Sequence, residues 1–238
     1  SKDGTQEYIS SLNNIKIKYV WQENSGLPSV ARNNGIKITD FEWVCFLDSD
    51  DFWEDDKLEK VKNAIENNPD AIAVSHSENL IVNGIFQKKL IHGTDAANVY
   101  ERLLFQGNCF STSAMTVKKE ILEKINGFNI SSKYYIVEDY ELWLRISKEG
   151  KIISIKDICG NYCLGQSDNI SSNVSKLYNN LKNVIKDHIN KLDNNYYNIE
   201  QLLKQHLARI DYYEAREYQT KGLMKKATPL LMNSIKEY

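Results

Sequence analysis

Acids at residues 48–51 carry the clearest chemical signal in this chain. Asp48-Ser49-Asp50-Asp51 follows directly on the apolar run Trp43-Val44-Cys45-Phe46-Leu47. A run that short and apolar reads as a strand, so the acids sit at its C-terminal end, the edge where open α/β sheets bind ligands. Carboxylates crowded at one edge repel each other unless a cation lies between them. Mg²⁺ or Mn²⁺ suits such hard oxygens, and the usual companion of that ion is a diphosphate. The residue types therefore predict a metal–diphosphate site, with Asp51 read as a cap on the next helix. A calcium-loop reading through Asp48, Asp50 and Glu59 fails, because Trp53 stands where the loop requires glycine and a strand, not a helix, precedes it.

These acids need a scaffold, and the pattern of the chain supplies one. Residues 1–13 read as a loop entering a helix, and the alternation over 15–20 as a strand. A polar turn at 23–26 leads to a helix over 30–36 with Ser29 as N-cap. The strand over 41–47 is apolar enough for a buried central position. A helix over 54–67 follows, with Leu58, Val61 and Ile65 on one face, and Asn67-Asn68-Pro69 stops it. Next come a strand over 71–75, a hairpin over 80–86 turning at Asn83-Gly84, a helix over 95–105 and a strand over 112–117. A short helix over 119–125 leaves through Gly127. A helix over 139–148 precedes strands over 152–155 and 161–164. Beyond Ser175 the period becomes helical, with Leu177, Leu181, Ile185 and Ile189, then Ile199, Leu202, Leu203, His206 and Ile210. This predicts an α/β domain over 1–172 and a helical region over 173–238.

Bulk properties narrow the function. The 238 residues carry a formal net charge of −2, so no general field attracts nucleic acid or an anionic membrane. No apolar run reaches the length of a membrane span. Cys45, Cys109, Cys159 and Cys163 lack the spacing of a zinc site and read as buried free thiols, which points to the cytoplasm. His76, His92, His188 and His206 are scattered and read as packing or surface residues.

Five segments in order are similar to family 2 glycosyltransferases of the GT-A fold. They are Asp3-Gly4-Thr5, Glu23-Asn24-x-Gly26, Ala31-Arg32-Asn33-x-Gly35, Phe46-Leu47-Asp48-Ser49-Asp50-Asp51, and Glu138-Asp139-Tyr140-Glu141-Leu142-Trp143-Leu144-Arg145. The resemblance implies a Rossmann-like mixed sheet flanked by helices, with the helical C-terminal region as an extension. It implies a metal-dependent, inverting transfer of sugar from a nucleoside-diphosphate donor, expected to be UDP-linked. The acceptor would be a hydroxyl of a glycan or lipid-linked molecule in bacterial surface polysaccharide or glycoconjugate synthesis. Asp50 then binds Mn²⁺ or Mg²⁺, and Asp48 supports the metal or the donor ribose. Asp139 is the base that takes the acceptor proton, and Glu138 accompanies it at a helix N-terminus whose dipole favours ionised acids.

The resemblance also places Asp3 on the nucleotide, Arg32 and Asn33 over its base or phosphates, and Asn24 with Gly26 in a loop close to it. Trp143 and Arg145 are expected to line the acceptor pocket or meet phosphate. Their own chemistry offers the alternatives of a core tryptophan and a structural arginine. Lys2 stands where the family has an acid. Gln166 stands where many relatives have a metal-side histidine, which predicts a two-acid metal site completed by phosphate and water.

The first strand of the family is missing, so the sequence is expected to be part of a longer protein. Lys204, Arg209, Arg216, Lys221, Lys225 and Lys226 in the helical region fit a solvated face or peripheral contact with the inner side of a membrane. Two competing functions stay open. One is a sugar nucleotidyltransferase, which should show a Gly-rich triphosphate loop. The other is an inactive nucleotide-sugar-binding scaffold.

Overall fold

The structure, a computed structural model, describes residues 3–165, 173–192 and 198–237. The predicted boundary near 172 and Gln166 lie outside these residues. The N-terminal helix α1 (Thr5–Ser11) is followed by α2 (Pro28–Ile38), which starts with Pro28 in its first turn and Leu27 as N-cap. Ser29 is therefore inside the helix and buried, not its cap, because proline's fixed φ is already helical and needs no N–H partner.

Strands β1 (Trp43–Cys45) and β2 (Phe52–Trp53) flank the acid loop. Then come α3 (Lys57–Glu66), β3 (Ala71–Val82), β4 (Ile85–Leu90), α4 (Val99–Gln106), β5 (Met115–Lys118), α5 (Lys119–Lys124), α6 (Glu138–Ile146) and β6 (Lys151–Leu164). The strands form a six-stranded sheet in the order β1-β5-β3-β6-β2, with β4 paired to β3. Only β3 and β6 run parallel among the described pairs. The long β3 is the axis of the sheet. Its first half pairs with β5, its second half with β4, and β6 runs along its other side.

Several expectations change. Residues 15–20 alternate but form no ladder, and Ile15 is 99% exposed. A two-residue period makes a strand only where a partner supplies hydrogen bonds, and no described strand lies beside this segment. Strand β1, expected at a central position, pairs with β5 alone among the described residues. The predicted strand over 71–75 and the first arm of the hairpin over 80–86 are one strand, β3, running through Ser75-His76-Ser77-Glu78, all fully buried, and the hairpin turns at Asn83-Gly84 into β4. The polar run looked like a loop. Glu78 is partnered in the interior instead, its Oε2 lying 2.9 Å from His92 Nε2. Strands 152–155 and 161–164 likewise merge into β6.

Helices α7 (Val174–Ile189), α8 (Ile199–Thr220) and α9 (Met224–Glu237) close the chain. They are not a loose appendage. Val184, Ile185, Ile189 and Ile210 join Phe46, Leu103, Met115, Val117, Phe128, Leu142 and Trp143 in one core. Each large side chain buried there contributes roughly 2–3 kcal/mol. Helices α8 and α9 form a hairpin turning at Gly222 (φ 71) and share a second cluster with Val174, Ala215, Tyr218 and Ala227. All four cysteines are free thiols. No helix among the described residues is long and apolar enough to cross a membrane.

Candidate active site

Strand β1 runs out into Phe46, the next residue, which is buried against Phe128 (ring centroids 5.3 Å apart) and Trp143 (6.3 Å). That anchor fixes where the chain emerges from the core, and Asp48 follows two residues later. The backbone N–H of Asp48 donates to Ser113 Oγ (3.0 Å), and the Ser113 hydroxyl in turn donates to Asp51 Oδ2 (2.6 Å). Asp51 Oδ1 accepts from the backbone N–H of Cys163 on β6 (2.8 Å). Asp51 is thus a strut between the loop, Ser113 and β6, and it does not cap α3. Burial pushes its carboxyl up to about 6 against the pull of Ser113 and Cys163, with Glu78 and Asp50 adding to the rise. Asp50 is exposed.

The second acid motif opens α6. Glu138 is buried, and Asp139 next to it is half-buried. Arg32 of α2 joins the two motifs. Its Nη1 donates to Glu138 Oε1 (2.8 Å) and its Nη2 to Asp48 Oδ1 (2.6 Å). Burial opposes the charge of Arg32, but Asp48, Glu138 and Asp139 outweigh it and hold its pKa above the ordinary value. The guanidinium also lies 5.3 Å from the centroid of the Phe128 ring. One helix residue therefore ties the end of β1 to the start of α6, 106 positions away in sequence from Glu138.

Asp139 accepts from Thr112 Oγ1 (3.3 Å) and from the N–H of Tyr140 (2.6 Å). Burial raises its pKa to about 6, and the neighbouring Glu138 adds to the rise, while Arg32 and the Tyr140 N–H oppose it. Immediately upstream, Ile136 has φ 78. A β-branched residue in that region is strained, which is common where backbone is held in place for function.

The remaining predicted site residues separate into two groups. Asp3 and Asn24 are exposed turn formers: Asp3 Oδ1 accepts from the N–H and hydroxyl of Thr5, and Asn24 Oδ1 from the N–H of Gly26 (φ 71). The other group is structural. Asn33 spends both ends of its amide on the backbone of Phe128, donating to the carbonyl and accepting from the N–H at 2.8 Å each. A Cβ on Gly127 (φ 61) would meet Asn33 Oδ1 at 2.4 Å, so this lock requires glycine there. Arg145 pairs with Glu141 and donates to the carbonyls of Ile125 and Gly127. Trp143 is fully buried. Asn33 and Arg145 thus hold the loop after α5 and Trp143 fills the core beneath α6, contacts that match the alternatives of a core tryptophan and a structural arginine.

Two residues of the site were not anticipated. Thr112 and Ser113 form a short 3₁₀ turn before β5. The small polar run Ser111-Thr112-Ser113 ahead of an apolar strand is the available signal, and the strand expected over 112–117 begins only at Met115.

The donor set fits a divalent cation in part. Asp48 and Asp50 offer hard carboxylate oxygens, and Asp50 is open to solvent. No group of three or more His, Cys, Asp or Glu able to hold an ion occurs among the described residues. Two carboxylates completed by substrate phosphates match the way Mg²⁺ is commonly held.

The family model for Glycosyl transferase family 2 matches residues 1–125. The chain belongs to glycosyl transferase family 2. It is 30% identical over 200 residues to the UDP-Glc:alpha-D-GlcNAc-diphosphoundecaprenol beta-1,3-glucosyltransferase WfgD of Escherichia coli, covering 83% of this chain and 75% of WfgD. It is 31% identical over 165 residues to the amylovoran biosynthesis glycosyltransferase AmsB of Erwinia amylovora, covering 66% of this chain and 54% of AmsB. Among solved structures, S. aureus TarS 1-349 in complex with UDP-GlcNAc superposes with a TM-score of 0.71 at 18% identity, covering 98% of this chain and 68% of that one. This family 2 member therefore shares the GT-A-like fold of TarS, a mixed sheet with flanking helices.

Proposed function

We propose that this glycosyltransferase moves a sugar from a UDP-sugar to a hydroxyl of a lipid-linked glycan precursor, with inversion at the anomeric carbon, in bacterial surface polysaccharide or glycoconjugate synthesis. The observation that carries the reading is the Asp48–Arg32–Glu138 bridge. It brings the acid loop at the end of β1 and the acid pair of α6 into one site, with Asp139 beside it. The UDP-linked donor is supported by the name of WfgD and by the UDP-GlcNAc in the TarS structure.

In this reading Asp139 takes the proton from the acceptor hydroxyl as the oxygen forms its bond to the anomeric carbon. The bond from that carbon to the diphosphate oxygen breaks on the opposite face. A carboxylate with a pKa near 6 is mostly ionised at neutral pH, yet basic enough to accept a proton. Thr112 and the Tyr140 N–H orient it. Glu138 is unsuited to that step because Arg32 occupies one of its oxygens and burial encloses it. Asp48 and Asp50 would hold Mn²⁺ or Mg²⁺, which when bound neutralises charge on the leaving diphosphate. Asp3, Asn24 and Gly26 form the turns proposed to face the nucleotide, and residues 1–172 are proposed as the unit that binds the donor. Peripheral membrane contact through the C-terminal helices is compatible with a lipid-linked acceptor.

The test is transfer from labelled UDP-glucose and UDP-GlcNAc to a synthetic lipid-diphosphate hexosamine, with and without Mn²⁺. Metal-dependent product with the opposite anomeric configuration is expected. A product retaining the donor's configuration would remove the single-displacement reading.

A further inference from the structure

A cavity of about 270 Å³ lies between the segment that carries Asp139 and the C-terminal helices. Ile136, Val137 and Asp139 form one side, Leu177 and Leu181 of α7 a second, and Arg209 and Tyr213 of α8 a third. Arg209 donates through Nη2 to the Phe105 carbonyl and to His206 Nδ1. His206 is buried and its pKa falls to about 4, so it is neutral and adds no charge of its own. Arginine keeps its charge at any working pH, and among the described residues no carboxylate forms an ion pair with Arg209. Among the described residues its Nε and Nη1 make no hydrogen bond. A fixed cation with spare donors in a ligand-sized cavity selects for an anion, and a guanidinium fork suits phosphate.

We propose that this cavity is the acceptor site. It would take the terminal sugar of an amphiphilic acceptor whose phosphoester is bound by Arg209 and whose apolar aglycone lies along Leu177, Leu181 and Tyr213. The proposal deepens the functional reading above and rests on it in one respect, that Asp139 is the base. The sugar hydroxyl then points to Asp139 and the phosphate to the other end of the same cavity. The strained Ile136 holds the wall next to the acid pair. The C-terminal helices, which share the main core, would thereby set acceptor specificity while the sheet binds the donor.

The experiment is titration of the full chain, without donor, with three probes: decyl-diphospho-GlcNAc, the neutral decyl glycoside of GlcNAc, and GlcNAc 1-phosphate. The alkyl diphosphate should bind at least about tenfold tighter than either of the others. Arg209→Gln, which keeps a donor for the Phe105 carbonyl, should remove most of that preference. Equal binding of the neutral glycoside, or an undiminished preference in Arg209→Gln, would overturn the phosphate assignment. Equal binding of GlcNAc 1-phosphate would overturn the amphiphile assignment. Should the variant fold poorly, a diazirine version of the alkyl diphosphate on the unmodified chain decides the matter. Adducts within α7 and α8 support the site, and adducts confined elsewhere reject it. Titration does not depend on the base. Retained turnover in Asp139→Asn would sink the base reading and leave the binding result standing.

Discussion

The acid loop at 48–51 and the acid pair at 138–139 present the same functional group in opposite settings. Asp50 stands in solvent, where a carboxylate keeps its ordinary affinity for cations. Asp139 is drawn out of water beside Glu138, and its pKa climbs to about 6. In the proposed reading, solvation divides two chemical tasks between like residues: an exposed oxygen for an ion and a desolvated one for a proton. Arg32 touches Asp48 in the first motif and Glu138 in the second, so it sets the distance between the tasks.

The contrast is sharpest at the base. Asp139→Asn should lower transfer by about 10³-fold or more while UDP affinity, measured by titration, stays within twofold or so. Undiminished turnover would erase the distinction between the motifs. At the other motif, Asp50→Asn should reduce turnover by roughly 10²-fold and abolish the thermal shift produced by Mn²⁺ with UDP, because that shift reports binding linked to folding.

Cutting the link between the motifs comes next. Arg32→Ala leaves Glu138 buried without a cation and should cost about 3 kcal/mol in denaturant unfolding. The same variant removes a charge that lowers the Asp139 pKa, so the acidic limb of its kcat/KM profile should move to higher pH. In the unmodified chain that limb should show a single proton lost near pH 6. The sign for stability is the reverse of an ordinary salt-bridged acid. A carboxyl whose folded pKa is raised binds its proton more tightly when folded, so its contribution to stability falls as pH rises from about 4 to about 6. Asp139→Asn should flatten that slope, and Asp51→Asn should do so in part, since Asp51 is raised as well. The smallest effect is expected from Asn33→Ala, which removes two hydrogen bonds to Phe128 and should cost about 1–2 kcal/mol with little change in KM for donor.

Much of this was legible in advance. The apolar run before Asp48, the Asn83-Gly84 turn and the glycine exit at 127 are local signals, and the structure keeps each of them. The helical spacing of Leu177, Leu181, Ile185 and Ile189 also survives, as helix α7. What misled were segments whose meaning depends on a neighbour. Residues 15–20 have strand alternation without a strand to pair with, whereas Ser75-His76-Ser77-Glu78 looks like a loop and lies at the centre of the sheet. Trp143 and Arg145 shared a motif with Asp139, yet they sit on faces of α6 that meet protein. A helix turns its side chains by about 100° per residue, which carries Arg145 off the face of Asp139, whereas Trp143, one turn further on, shares that face but is fully buried in the core.

By itself the sequence determined the family and many of the local elements, and it offered the acids proposed for sugar transfer, because these follow from local pattern and residue type. Only the tertiary structure decided that Arg32 bridges Asp48 and Glu138, that Asp51 is a strut and Asn33 a lock, and that α7 and α8 wall a cavity beside Asp139. Those outcomes depend on which charges and apolar faces are buried together. Desolvation and pairing act through space between residues far apart in the chain, and no local spacing encodes them.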